Sequence, residues 1–252
     1  MHPILFHIGP VTIYTYGFMI FLGVLAAYFL TLRAAPRYGL SPEDVSDLFF
    51  WAVLSGFAGA RLTFILINFQ AFLTAPASFI FSASGFVFFG GFFAALAAIV
   101  IYARRRSYDL RSVFDLLVPG AALAHGFGRI GCFFYGCCYG MHARGPLCFL
   151  FPPNSPAGME GVPVLATQLI SAAFLFALAA GLLAMRRLSP PAGTIAALYL
   201  VIYGLFRFTI EFFRIDPRGF WLGLATSQWF SIVAFILGLF LLLRLRFKSV
   251  SM

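Results

Sequence analysis

Residues 112–140 read SVFDLLVPGAALAHGFGRIGCFFYGCCYG. Up to residue 133 the stretch has the length and apolar character of a helix that crosses a bilayer, which takes about 20 residues. It nevertheless carries His125 and Arg129, and it runs out into Cys132, Cys137 and Cys138 among glycines and aromatics. Reading it as a span makes the whole chain a membrane protein, and those polar groups then demand a reason.

Composition supports the span. Of the 252 residues 62% are hydrophobic and 10% charged, and the mean hydropathy is +0.97, whereas soluble domains are about 25% charged. A soluble fold is excluded. Working outward from 112–133, similar segments fall at about 12–33, 45–68, 85–104, 163–186, 192–213 and 225–246, each near the length a bilayer requires. The ten-residue alternation of a transmembrane barrel is absent. The expected fold is all-α: a polytopic membrane protein with seven transmembrane helices around an outward-facing polar cavity. It forms one domain over 1–252, with a short periplasmic cap at about 136–163.

Most of the 17 basic residues sit on one side of that topology, in Arg33, Arg37, Arg104, Arg105, Arg106, Arg111, Arg186, Arg187, Arg244, Arg246 and Lys248. The positive-inside rule makes that side cytoplasmic, with the N-terminus outside and the C-terminus inside. The net charge of +9 then reflects topology and anionic head groups, not nucleic acid. Nothing basic precedes Arg33, so the first span lacks a cleavable leader's charged start and is expected to be retained.

Several polar side chains share the outer depth: Tyr16, Arg61, His125, Arg129, Arg207 and Glu211. An ionised group there costs at least about 2.5 kcal/mol, so each is expected to face the protein interior with a partner. Arg207 and Glu211 lie four apart on one helix face. They are either a self-neutralising pair or part of an arginine-rich site for an anion, and a phosphate suits the guanidinium fork. His125, Arg129 and Cys132 also share a face. Small residues at Gly126, Gly128 and Gly131 permit close helix packing, but packing gives no reason for an arginine. Arg61 is open to two partners, the anion or Asp115.

Cys132, Cys137, Cys138 and Cys148 lack the paired spacing of a zinc site, and His142 does not supply it. No metal and no cofactor are expected. Cys148 bridged to Cys137 or Cys138 is one possibility, since disulfides persist outside the cytoplasm. Cys137 or Cys138 as a nucleophile is another.

Five separated motifs carry a resemblance. Gly128-Arg129-Ile130-Gly131, then Phe133, Gly136 and Gly140, is similar to the signature G-R-x-G-N-F-x-N-G-E-x-x-G of the bacterial prolipoprotein diacylglyceryl transferases. Ile8-Gly9-Pro10 with Tyr16-Gly17, Gly59-x-Arg61, Gly90-Gly91, and Tyr203-Gly204-x-Phe206-Arg207 with Glu211-Phe212-Phe213-Arg214 resemble further family stretches in order. The resemblance implies an inner-membrane enzyme that moves a diacylglyceryl group from phosphatidylglycerol to the lipobox cysteine of a prolipoprotein, or to another thiol or hydroxyl acceptor. It implies phosphate contacts from Arg129 and Arg207, and substrate-binding places for Tyr16, Arg61, Gly131, Gly140, Gln168 and Glu211.

The pattern also departs. Phe89 stands where the family's H-G-G has histidine, and Cys132, Tyr135 and Cys137 replace the signature's two asparagines and its glutamate. The family's H-P-S-Q-L-Y-E keeps only Gln168 and Leu169. His125 is the candidate replacement base, since a neutral imidazole can take a thiol proton; the other reading is a histidine that is simply hydrogen-bonded at a helix packing surface. The alternative is a phospholipid-binding paralog that has lost the base. A transporter would need a broken-helix repeat that is not evident.

Overall fold

The computed structural model describes residues 3–9, 11–81, 85–216 and 219–250, without the side chains of residues 8, 11, 81 and 246–250. Pro10 of the first motif and the Arg246 and Lys248 charges lie outside the described residues. Among the described residues seven helices are long and apolar enough to cross a membrane. They are α1 (Thr15–Ala34), α2 (Pro42–Ile67), α5 (Phe88–Arg105), α6 (Leu110–Tyr135), α7 (Thr167–Arg186), α8 (Thr194–Ile210) and α9 (Thr226–Val250). Two short helices, α3 (Phe69–Thr74) and α4 (Pro76–Phe81), occupy the connection after α2.

The first span begins later than hydropathy suggests. Val11, Thr12 and Ile13 are β-branched and suit a pleated strand, so β2 (Val11–Tyr14) pairs antiparallel with β1 (Ile4–Ile8), turning through Gly9 at φ 57°. Only at Thr15 does the helix start.

The chain divides into two compact units, residues 32–113 and residues 1–31 with 114–252. In the first, α2 and α5 pack through small residues. A Cβ on Gly59 would collide with the Ala94 methyl, and one on Gly91 would lie 2.8 Å from the Gly56 carbonyl oxygen. Glycine is what lets backbones approach this closely in an apolar medium. Ser41 caps α2, accepting from the Asp44 amide at 3.1 Å while the Asp44 carboxylate accepts from Ser41. The same carboxylate accepts the Tyr102 and Tyr108 hydroxyls at 2.9 and 2.6 Å, fastening the start of α2 to the end of α5.

In the second unit, α1 meets α6 at Gly23, whose Cβ would lie 2.8 Å from the Ala124 carbonyl oxygen, and α8 meets α9 at Gly204 and Gly238. Leu178, Leu182 and Ile195 form its core. Asp115, buried in α6, accepts the Gly193 and Ala196 amides at 2.7 Å each and so caps α8. Arg186 of α7 donates to the Asp115 and Leu116 carbonyls.

At the other end of this unit a cap runs from Gly136 to Pro163. Strand β3 (Cys148–Phe149) pairs with β4 (Val164–Leu165), and Tyr139, Phe151, Ala157 and Val164 form a small core with Phe133 and Phe149 against it. Phe151 is thus packing, whereas Met141, Leu150 and Met159 are exposed. β5 (Phe220–Trp221) and β6 (Leu224–Ala225) make a further hairpin before α9.

Glu160 latches the cap, accepting the Tyr139 hydroxyl at 2.7 Å and meeting His142 Nε2 at 2.7 Å. Those bonds, Tyr139 first, hold its carboxyl below the usual range against the cost of burial. Burial, then Glu160, pushes the Tyr139 hydroxyl up to about 12. A carboxyl depressed on folding stabilises above its unfolded pKa, and the contribution disappears as pH falls through the folded one. We expect cap amides such as Ala157 to lose hydrogen-exchange protection on acidification, and Glu160→Gln to remove the pH dependence. Protection unchanged from neutral to acid pH in the unaltered chain would refute the latch.

Candidate active site

Four helix ends converge at the cap end of this unit. Tyr16 opens α1, Arg129 and Cys132 close α6, Gln168 opens α7, and Arg207 closes α8. Close approach depends on glycine. A Cβ on Gly131 would sit 3.0 Å from the Tyr16 ring, and one on Gly140 would sit 2.7 Å from the Phe213 carbonyl oxygen and 2.7 Å from the Thr167 methyl. Both expected glycine positions are therefore packing sites around the polar residues, and Gly140 leaves no room for a side chain.

The arginines are held differently. Arg207 is paired with Glu211, whose carboxylate is buried. Arg214, just past α8, makes a two-pronged pair with Asp216 at 3.0 and 3.1 Å. Arg129 has no carboxylate partner among the described residues. Its Nε donates to His125 Nε2 at 3.1 Å, and it interacts with Tyr203. Arg129, Arg207 and Arg214 lie near enough to repel one another. With Nε engaged by His125, the remaining N–H donors of Arg129 sit on its two terminal nitrogens, a fork whose geometry suits an oxyanion.

His125 occupies the expected place, one turn from Arg129, with its ring edge-on to Tyr203 at 5.4 Å. Since a guanidinium only donates, Nε2 must be the acceptor. The lone pair that a base would offer is the one that orients Arg129.

The three cysteines around the end of α6 converge. Gly136 at φ 80° stops the helix, the Cys137 amide folds back onto the Cys132 carbonyl at 3.1 Å, and Cys138 takes a left-handed φ of 63°. The Cys132, Cys137 and Cys138 Sγ atoms all lie within 4.8 Å of one another. All four cysteines are free thiols. Gln168 Nε2 donates to the Cys137 carbonyl and Thr167 Oγ1 to the Cys138 carbonyl, both at 2.7 Å. Cys138 is held below the usual thiol range because Cys132 and Cys137 hydrogen-bond to it, against burial and aided by Arg214 and Arg129. The same thiol contacts, with burial, push Cys137 up.

Tyr16 interacts with all three sulfurs and with Arg129. Arg61 lies in the other unit, donating to the Gly85 carbonyl at 3.0 Å with its guanidinium 5.1 Å from the Phe86 ring centroid. Asp115, its other candidate partner, is taken up in capping α8. Arg214, Tyr203 and Thr167 also stand at this end, and neither polarity nor spacing in the sequence singles them out. Arg214 was legible only as the last letter of Glu211-Phe212-Phe213-Arg214.

The family model described as Prolipoprotein diacylglyceryl transferase matches residues 3–244. The chain belongs to the prolipoprotein diacylglyceryl transferase family. It is 35% identical over 249 residues, 99% of its length and 100% of the relative's, to the phosphatidylglycerol--prolipoprotein diacylglyceryl transferase of Clostridium tetani. To the phosphatidylglycerol--prolipoprotein diacylglyceryl transferase 2 of Clostridium perfringens it is 36% identical over 243 residues, 96% and 94% of the two chains. With the Geobacter sulfurreducens phosphatidylglycerol--prolipoprotein diacylglyceryl transferase it shares 35% over 250 residues, 94% and 92%. In this prolipoprotein diacylglyceryl transferase family member Arg129, Arg207 and Glu211 lie at the cap end of the helices, where the three sulfurs also converge.

Proposed function

We propose that this chain transfers a diacylglyceryl group from phosphatidylglycerol to the lipobox cysteine thiol of a prolipoprotein. It would work at the outer face of a bacterial inner membrane, with the N-terminus outside and the C-terminus cytoplasmic. Arg129 is the observation that carries this reading: a guanidinium within an apolar span, oriented by His125 and lacking a carboxylate among the described residues, calls for an anionic ligand. A phospholipid brings a phosphate to that depth from within the bilayer.

In the reaction the acceptor sulfur, as thiolate, attacks the glyceryl carbon bonded to the phosphate oxygen. The C–S bond forms, the C–O bond breaks, and glycerol phosphate leaves with the electron pair. Arg129, with Arg207 beside it, offsets charge growing on the leaving phosphate, the kind of preorganised stabilisation that dominates many enzymes. Glu211 keeps Arg207 in place, and Gln168 holds the cysteine turn.

Mass spectrometry of a fluorescent lipobox peptide incubated with the purified protein and phosphatidylglycerol tests it. A diacylglyceryl mass increment on the cysteine is the expected result. The presence of Phe89 at the family's histidine position favours one other reading, a lipid-binding paralog. Phosphatidylglycerol that co-purifies with no increment under reducing conditions would overturn the transferase in its favour.

A further inference from the structure

We propose that Cys132, Cys137 and Cys138 form a three-thiolate zinc site whose open fourth position takes the acceptor cysteine and makes it the nucleophile. The three sulfurs already lie within 4.8 Å of one another. Tetrahedral zinc with Zn–S bonds of about 2.3 Å needs sulfurs about 3.8 Å apart, so small side-chain rotations close the ring. Their backbone is fixed beforehand. The helix-ending turn brings Cys137 over Cys132, and Gln168 and Thr167 pin the Cys137 and Cys138 carbonyls.

Ligand identity selects the metal class. Thiolates favour soft or borderline cations, and zinc among them is redox-inert. Three protein ligands leave a place for substrate, the hallmark of a catalytic zinc site as opposed to a structural one. Cys137 and Cys138 are only half-buried, and Tyr16, which interacts with each of the three sulfurs, is 41% exposed. The local charge also suits the metal site. Three thiolates with Zn²⁺ carry one negative charge and a fourth thiolate makes two, and the surroundings favour a net negative site, since Arg129 and Arg214 both interact with Cys138 even though Arg214 is also paired with Asp216.

The chemistry fills the gap that Phe89 leaves. A thiol bound to zinc loses its proton outright, so no histidine base is needed and His125 can remain the acceptor that orients Arg129. The acceptor R–SH binds, releases a proton to solvent and becomes Zn–S–R. Its sulfur lone pair then forms the C–S bond as the phosphate departs, and the thioether, a weaker ligand, leaves the metal. Zinc changes no oxidation state. This activation step rests on the transferase reading, whereas the metal site stands independently of it.

The test uses the full chain in detergent under reducing, anaerobic conditions. Co²⁺ should bind one per chain with the thiolate charge-transfer and visible bands of tetrahedral cobalt, and Zn²⁺ should displace it. Single serine replacements of Cys132, Cys137 or Cys138 should abolish the spectrum while Cys148→Ser keeps it, with thermal melts confirming that each variant folds. Thr167→Val should weaken metal binding about 10–100-fold, as loss of ligand-orienting partners does. A lipobox peptide should shift the visible bands, and its Cys→Ser version should not. No stoichiometric cobalt, a spectrum indifferent to the three cysteines, or those sulfurs found as a disulfide under reducing conditions would each overturn the site. Thioether formation equally fast after chelator treatment would overturn the activation and leave the transferase reading intact. A peptide-dependent cobalt shift with neither lipid binding nor thioether would support the site and sink the transferase reading instead.

Discussion

Arg129→Ala is expected to lower diacylglyceryl transfer by about 10²–10³-fold, the loss seen when one preorganised donor is removed from a developing negative charge. The effect should fall on turnover more than on folding. Arg129 has no carboxylate partner among the described residues; its Nε donates to an imidazole acceptor on His125, and its other neighbour is the Tyr203 hydroxyl. Removing it strands no buried carboxylate, so the cost that usually accompanies a broken ion pair does not arise.

Arg129→Lys separates charge from geometry. Lysine keeps the cation but loses both the Nε that His125 fixes and the two-nitrogen fork. Partial activity that His125→Ala lowers no further would show that the imidazole acts only through the guanidinium. If His125 were instead the base, its loss would depress the lysine variant again and shift the acid limb of the pH–rate profile. Full activity in Arg129→Ala, measured by the peptide mass increment, would remove Arg129 from the mechanism.

How far the sequence reveals this molecule depends on the range of the forces involved. The seven spans were legible because hydropathy is a property of a window, needing no knowledge of neighbours. The hairpin over residues 4–14 was not, since Val11 to Tyr14 is as apolar as the span it precedes and only pairing with β1 decides between strand and helix. Arg129, Arg207 and Glu211 announced themselves because an ionised group inside a span is costly enough to need a reason. The cysteine trio did not. Spacings of five and one match no zinc pattern, and what unites the sulfurs is a turn made by Gly136 at φ 80° and Cys138 at φ 63°, held by Gln168 and Thr167 from a distant helix. Asp115 likewise read as a free carboxylate for Arg61, and its duty as the cap of α8 appears only once α6 and α8 are side by side.

Glu211→Ala should be the most destabilising of the site substitutions, by about 3–5 kcal/mol, because it leaves the Arg207 charge without its partner in a poorly solvated place. The Glu211 side chain is 4% exposed and the Arg207 side chain 14%, and Arg207 also feels the repulsion of Arg129 and Arg214. Thermal unfolding in a fixed detergent measures the loss. The paired replacement Arg207→Met with Glu211→Leu then decides what the pair is for. Apolar side chains of similar volume often replace a buried ion pair at no cost, so stability should return to near that of the unaltered chain. Were the pair only a means of neutralising α8 for insertion, transfer would return with it. The proposed phosphate role predicts otherwise: the double variant should fold, carry Arg129 intact, and still transfer poorly, since the second guanidinium beside the leaving group is gone. Restored activity in that variant would reduce Arg207 to a structural counter-ion and leave Arg129 as the phosphate ligand on its own helix.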